Sequence, residues 1–245
     1  MTDQEKTDRL IETARERMRS SRDPVHDIRH AERVADFAEK IGRELNLDRK
    51  RLQALILAAW WHDVGRTVTR KPSLIFMVFL DDLISALMLW RETIRIGLFG
   101  SVTGMATRLI FCHSVGTGTF LTRLLLRPKT RLLLDALMDA DKLDMLSTER
   151  LDKLLGLASR STIYHFGYRI LSWYNFSTVY FDVKTAAARR HLEKILVEFV
   201  TWLYSPEIKA WHIEQFGIVW SRRMHGRVLS VIQRFHIRMT FDPTI

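Results

Sequence analysis

The sequence predicts an all-α protein, and three observations carry that prediction. Apolar residues recur every three or four positions through most of the chain, while no stretch alternates as a strand would. Only five prolines and eleven glycines punctuate 245 residues, and Leu, Ala, Arg and Glu are plentiful. With 47% hydrophobic residues, the chain can bury a sizeable core as one helical bundle, with a helical C-terminal extension after Pro206.

The elements follow from local signals. Residues 4 to 20 form a charge-laced amphipathic helix around Leu10, Ile11, Ala14 and Met18, ended by the turn before Pro24. Asp27 stands at the N-cap or first turn of a helix running to about Leu45, with Val34, Phe37, Ala38 and Ile41 buried. Asp48 opens a third helix, apolar through Leu52, Leu55, Ile56 and Ala59 and ending near Gly65. A helix from Lys71 to Trp90 follows, then one from about Met105 to Cys112 and the loop Gly116-Thr117-Gly118. Further helices are predicted from Arg131 to Met145, at 149–159, at 162–173 and at 183–204. A basic, aromatic tail covers 206–245.

Composition narrows the function. A net charge of +10 implies anionic partners: a phosphorylated small molecule, nucleic acid or an anionic membrane surface. One cysteine, Cys112, excludes an internal disulfide framework and points to a cytoplasmic setting. The N-terminus shows no basic-then-apolar leader pattern. Leu74 to Trp90 is the most apolar stretch, but Asp81-Asp82 interrupts it, so it reads as a core or lid helix and no transmembrane segment is expected. Arg70, Lys71, Arg91 and Arg95 flank it and keep attachment to a membrane surface open.

The chemistry gathers around His62-Asp63 at the end of the apolar run Leu57-Ala58-Ala59-Trp60-Trp61. At about 100° per residue, His30 heads the stripe of Val34, Ala38 and Ile41, and His62 and Asp63 extend that of Leu55, Ile56 and Ala59. Asp141 aligns with Leu134, Leu137, Met138 and Met145, whereas Asp139 falls on the opposite side and Asp144 at the edge. His113 shares a face with Leu109 and Ile110. Buried carboxylates repel one another unless a cation neutralises them, so histidines and aspartates facing inward together point to a divalent metal. A single core histidine satisfied by a hydrogen bond is the plainer alternative for any one of them.

These elements resemble the HD-domain metal-dependent phosphohydrolases, and the small bacterial HD hydrolases in particular. His26-Asp27-Ile28-Arg29-His30 matches the family's first element, Trp61-His62-Asp63-Val64-Gly65 its second and Asp139-Ala140-Asp141-Lys142 its third, with Cys112-His113-Ser114 between. The resemblance spans roughly 20 to 205, which makes 1–205 the catalytic domain. It implies a metal held by His30, His62, Asp63 and Asp141, with Mn, Fe, Co, Ni or Mg favoured over a closed zinc site. It implies a small phosphorylated substrate, a nucleotide first. Asp63 would orient the attacking water, and His113 would protonate the leaving oxygen or hold substrate or a second metal. Arg29, Arg33, Arg66 and Lys142 would clamp phosphate. His26 and Asp27 would fix the helix start. Gly65-Arg66 stands where some relatives carry a further acid.

Two other readings compete: a nucleotide-binding regulatory protein without turnover, and a nucleic-acid-associated protein. The second would use Arg222, Arg223, Arg227, Arg234 and Arg238, with Trp220 and Phe235 stacking on bases. Packing of the tail on the domain or in a homodimer is the plainer use of the same residues.

Overall fold

The computed structural model describes residues 1–68, 77–113, 126–174 and 181–234. The expectations for 71–76, Ser114, the loop 116–118, Phe235 and Arg238 lie outside them. Among the described residues there are eleven α-helices, one 3-10 turn and no strand, so the fold is all-α. The chain divides into two compact units, Met1–Asp141 and Lys142–Ile245. The predicted break at Pro206 follows the sequence's composition; this division follows chain contacts.

The first unit holds α1 (Asp3–Arg19), α2 (Ile28–Glu44), α3 (Arg49–Trp61), a 3-10 turn (Val64–Val68), α4 (Met77–Ile96) and α5 (Ser101–Cys112). It also holds most of α6 (Pro128–Met145), which crosses the division. Side chains open three of these helices. Thr2 and Glu5 form a reciprocal capping box on α1, Asp27 accepts from the His30 N–H at 3.0 Å, and Asp48 accepts from the Arg51 N–H at 3.0 Å. Trp61 is fully buried, and its Nε1 donates to the Leu10 carbonyl at 3.0 Å, which fastens the end of α3 to α1. Val34, Ile41, Leu55, Leu89, Leu109 and Ile110 surround it as core. Their burial stabilises the unit by about 1.5–3 kcal/mol for each large side chain, before conformational entropy is counted.

Helix α4 runs six residues beyond the expected Trp90 because its stop signal is Gly97. That residue adopts φ 63°, and the N–H groups of Gly97 and Leu98 return to the carbonyls of Ile94 and Thr93 at 3.1 Å each. Helix α6 starts at Pro128 itself rather than at Arg131, since proline suits the first helical position, where its missing N–H has no partner to lose. Asp139 and Asp144, expected opposite and at the edge of the buried face, are both fully buried. With Leu133, Ala136, Leu137, Ala140 and Leu143 also buried, α6 is covered on more than one side. One apolar stripe therefore misjudges it.

The second unit contains α7 (Thr148–Ala158), α8 (Thr162–Tyr174), α9 (Ala186–Leu203), α10 (Pro206–Phe216) and α11 (Ile218–Arg234). The described part of the predicted tail, up to Arg234, is thus two helices, separated by Gly217 at φ 80°. Leu155, Ala158 and Tyr168 form a core cluster, against which Trp202, Trp211, Phe216 and Trp220 pack. The indole N–H groups remain satisfied: Trp202 donates to Asp152 at 2.7 Å and Trp211 to Ser159 at 3.0 Å. Trp220, expected to stack on bases, sits 4.5 Å from the Phe216 ring, while Arg222, Arg223 and Arg227 are exposed. The Arg227 guanidinium lies 3.8 Å over the Trp173 ring.

Candidate metal centre

The centre is assembled from helix ends. His62 is the C-cap of α3, where the last carbonyls of the helix lack intrahelical donors. Its Nδ1 lies 2.7 Å from the Ala59 carbonyl; a carbonyl only accepts, so Nδ1 carries the proton. That bond turns Nε2 inward, 3.1 Å from Nε2 of His30. His30 reaches the same point from the third position of α2, whose start is held by the Asp27 cap. Both histidines are fully buried.

Two carboxylates complete the cluster. Asp63 Oδ2 is 3.1 Å from His30 Nε2 and 3.3 Å from His62 Nε2, yet it is a buried atom with no hydrogen-bond partner. Asp141, on α6, places Oδ1 3.6 Å from His30 Nε2. One ligand atom each from His30, His62 and Asp141 falls within a 4.8 Å span, a set able to hold a metal ion. Converging imidazole nitrogens and a buried carboxylate oxygen that hydrogen bonds leave unsatisfied are the donor set a divalent cation needs. Where no cation neutralises it, the cluster recruits protons. Burial opposes a charge on His62, but the neighbouring Asp63 carboxylate, with Asp141 adding, outweighs burial and raises its pKa to about 9. Burial would raise the Asp63 pKa, but His62 and Arg66 hold it well below the usual carboxylate range.

Behind Asp63 lies a second layer that the sequence did not disclose. Arg66, expected to clamp phosphate, is 9% exposed at its side chain, and its guanidinium meets three carboxylates. These are Asp81 at 2.5 Å, Asp63 Oδ1 at 3.3 Å and Asp23 at 3.4 Å. Burial disfavours its charge, but Asp63, Asp81 and Asp23 together raise its pKa further. Asp23 also accepts from the His26 N–H and lies 2.9 Å from His26 Nδ1, so His26 belongs to the support of the helix start. Gly65 donates its N–H to Ser85 Oγ at 2.7 Å; a Cβ there would sit 2.5 Å from the Asp81 carbonyl. Only glycine lets α4 approach the turn after His62-Asp63 this closely.

His113 follows α5 and lies between two carboxylates. Its Nδ1 is 3.6 Å from Asp82 Oδ1 and its Nε2 is 3.7 Å from Asp141 Oδ2, with its ring centre 5.3 Å from that of His62. Burial disfavours its protonation, but Asp82, then Asp141, raise its pKa. Among the other expected residues, Arg29 is exposed and paired with Glu32 at 3.3 Å, and Arg33 is half-buried on the same helix. Lys142 follows Asp141 in sequence, and its Nζ donates to the Asp182 carbonyl at 2.6 Å.

Asp23, Asp81, Asp82 and Ser85 escaped the sequence reading. The available signal was Asp81-Asp82 inside an apolar helical run, the same anomaly that singled out His62-Asp63.

A family model described as HD domain matches residues 27–146, an interval that contains His30, His62, Asp63, His113 and Asp141. Searches of curated proteins and of solved structures find no match. The matched interval brings His30, His62, Asp63 and Asp141 together, and residues 27–146 form an HD domain, a family whose members are generally metal-dependent hydrolases.

Proposed function

We infer that the protein is a metal-dependent phosphohydrolase acting on a phosphate ester or anhydride of a small phosphorylated compound, a nucleotide first. The observation that carries this reading is the cluster of buried His30 and His62 and half-buried Asp141 with the unsatisfied Oδ2 of Asp63. His30, His62, Asp63 and Asp141 are the proposed ligands, and Mn, Fe, Co, Ni and Mg are the ions their nitrogen and oxygen donors suit. A bound divalent ion supplies Lewis acidity, lowering the pKa of water and drawing charge from a phosphoryl group.

The residues divide the remaining work. Arg66 binds Asp63 Oδ1 and so leaves Oδ2 turned into the cluster, where it orients the attacking water. Arg66 thus acts through Asp63, and any direct contact with phosphate would compete with its three carboxylates. His113, favoured in its protonated form beside Asp82 and Asp141, holds the proton for the leaving oxygen. Arg29 and Arg33, on α2 with His30, and Lys142, beside Asp141, are the proposed phosphate cations. The proposed catalytic region is residues 1–205, and the presence of a single cysteine, Cys112, supports a cytoplasmic setting.

Elemental analysis of purified protein beside Asp63→Ala, followed by a screen of phosphorylated substrates with the ion recovered, tests the reading. Near-stoichiometric metal lost in the variant, with hydrolysis by wild type alone, is expected. A wild type that holds no divalent ion after reloading with Mn, Ni, Co or Mg overturns it. Bound metal with nucleotide binding but no turnover would identify the regulatory alternative.

A further inference from the structure

Helix α4 carries the support of the metal centre on one face and an unusual surface on the other. Asp81, Asp82, Ser85, Leu89, Glu92 and Thr93 are buried. Leu80, Leu83, Leu87, Trp90 and Ile94 are exposed, between 38% and 55% of each residue. Their spacing of three, four, three and four residues sets them in one stripe, with Ile84 and Met88 half-buried along its edge. An uninterrupted apolar face of this length is not an ordinary monomer surface.

Charge identifies what fits it. Arg91 and Arg95, both exposed, flank the C-terminal half of this stripe, whereas all three acids of the helix turn inward. Glu92, buried, is shared between Arg17 at 2.8 Å and Arg95 at 3.5 Å. The patch continues past the Gly97 turn to Phe99, 73% exposed, and a hollow of about 290 Å³ lined by Trp90, Phe99 and Arg108 among others. Paired along this stripe, the α4 of a second copy would bring its own arginines and no outward acid of that helix to meet them, contrary to what paired helices require. An apolar bed beneath a layer of anionic headgroups meets both halves of the face. No described helix is long and apolar enough to cross a membrane, so the contact is with a surface.

We propose that α4 and the turn after it form a docking face for an anionic lipid bilayer, with Leu83, Leu87, Trp90 and Phe99 entering the headgroup boundary and Arg91 and Arg95 pairing with lipid phosphates. This inference is independent of the reaction at the metal centre.

The test is co-sedimentation of the full chain with vesicles of phosphatidylcholine alone and of phosphatidylcholine mixed with phosphatidylglycerol. Binding to the anionic vesicles is expected, at least roughly tenfold weaker in Leu87→Glu. It should fall roughly fivefold for each arginine removed in Arg91→Ala and Arg95→Ala and weaken with salt. All three side chains are exposed, and helical circular dichroism confirms that each variant is folded. Phe166→Glu, which alters an exposed residue of α8 in the other unit, should leave binding intact. No binding, equal binding to neutral vesicles, or binding that responds to Phe166→Glu and not to Leu87→Glu overturns the proposal. So does a concentration-dependent dimer, abolished by Leu87→Glu, in a protein that ignores vesicles.

Discussion

The Nε2 atoms of His30 and His62 face each other at 3.1 Å, closer than two bare imidazole lone pairs tolerate without a proton or a cation to bridge them. Nδ1 of His62 is already committed to the Ala59 carbonyl, so a bridging proton has to sit on Nε2 of His30 or make His62 doubly protonated. A divalent ion in place of that proton would meet both nitrogens and the unsatisfied Oδ2 of Asp63.

A divalent ion should therefore stabilise the fold by mass action. Excess metal at one hundred times its Kd is expected to add about 2.7 kcal/mol, and chelation to remove it. Thermal melts with and without Mn, Ni or Mg check this. Asp63→Asn, which retains shape but loses the charge of the unsatisfied oxygen, should melt at one temperature with or without metal.

Arg66 is the counter-ion of three carboxylates, so its removal should be costly. Arg66→Ala is expected to destabilise the first unit by about 3–5 kcal/mol, because Asp23, Asp63 and Asp81 then repel in a buried site. Arg66→Lys, keeping the charge but losing the fork, should recover part of that loss. Urea denaturation ranks the three proteins; equal midpoints for wild type and Arg66→Ala would refute the role.

Gly65→Ala should disturb the metal centre without touching a ligand. The added methyl meets the Asp81 carbonyl and Ser85, forcing α4 away from the turn at a cost of about 1–3 kcal/mol. Weaker metal binding measured by titration calorimetry is the expected readout, and an unchanged affinity would contradict it.

Acid should unfold the second unit from its own histidines. His212 is fully buried, its Nε2 2.8 Å from the Tyr168 hydroxyl and its Nδ1 3.2 Å from Nε2 of His225. Burial, then the neighbouring His225, lowers the His212 pKa to about 3, and burial with Lys209 lowers that of His225 to about 4. Both values lie below the ordinary 6.5, so the unfolded chain binds these protons first. Stability present above pH 6.5 is then lost as pH falls towards 4, by up to about 1.4 kcal/mol per pH unit for each group. Tryptophan fluorescence against pH follows the loss. A His212→Gln, His225→Gln double variant should flatten the curve, and a curve as steep as wild type would count against the mechanism.

Helical periodicity made the fold legible, because each amphipathic helix carries its own pattern. His30, His62, Asp63 and Asp141 were legible for the same reason: each is ionisable and continues an apolar stripe. Asp139 and Asp144 were misjudged because α6 is buried on several sides. Their neighbours show the limit of a one-stripe reading, and Asp144 finds Arg150 at 3.2 Å only through the fold. Asp81 and Asp82 read as an interruption of an apolar segment, since nothing local reveals that Arg66 and His113 lie opposite them. His212 and His225 were hidden in a tail whose basic residues dominate its composition, although Met224, Val228, Val231 and Ile232 trace a buried stripe there.

The fastening of the 3-10 turn to α4 bears on how the chain can vary between relatives. Gly65 is held by Ser85 and Arg66 by Asp81, so direct bonds register the two elements to each other. A change at Ser85 or Asp81 in one descendant is thereby felt at the turn that follows His62 and Asp63.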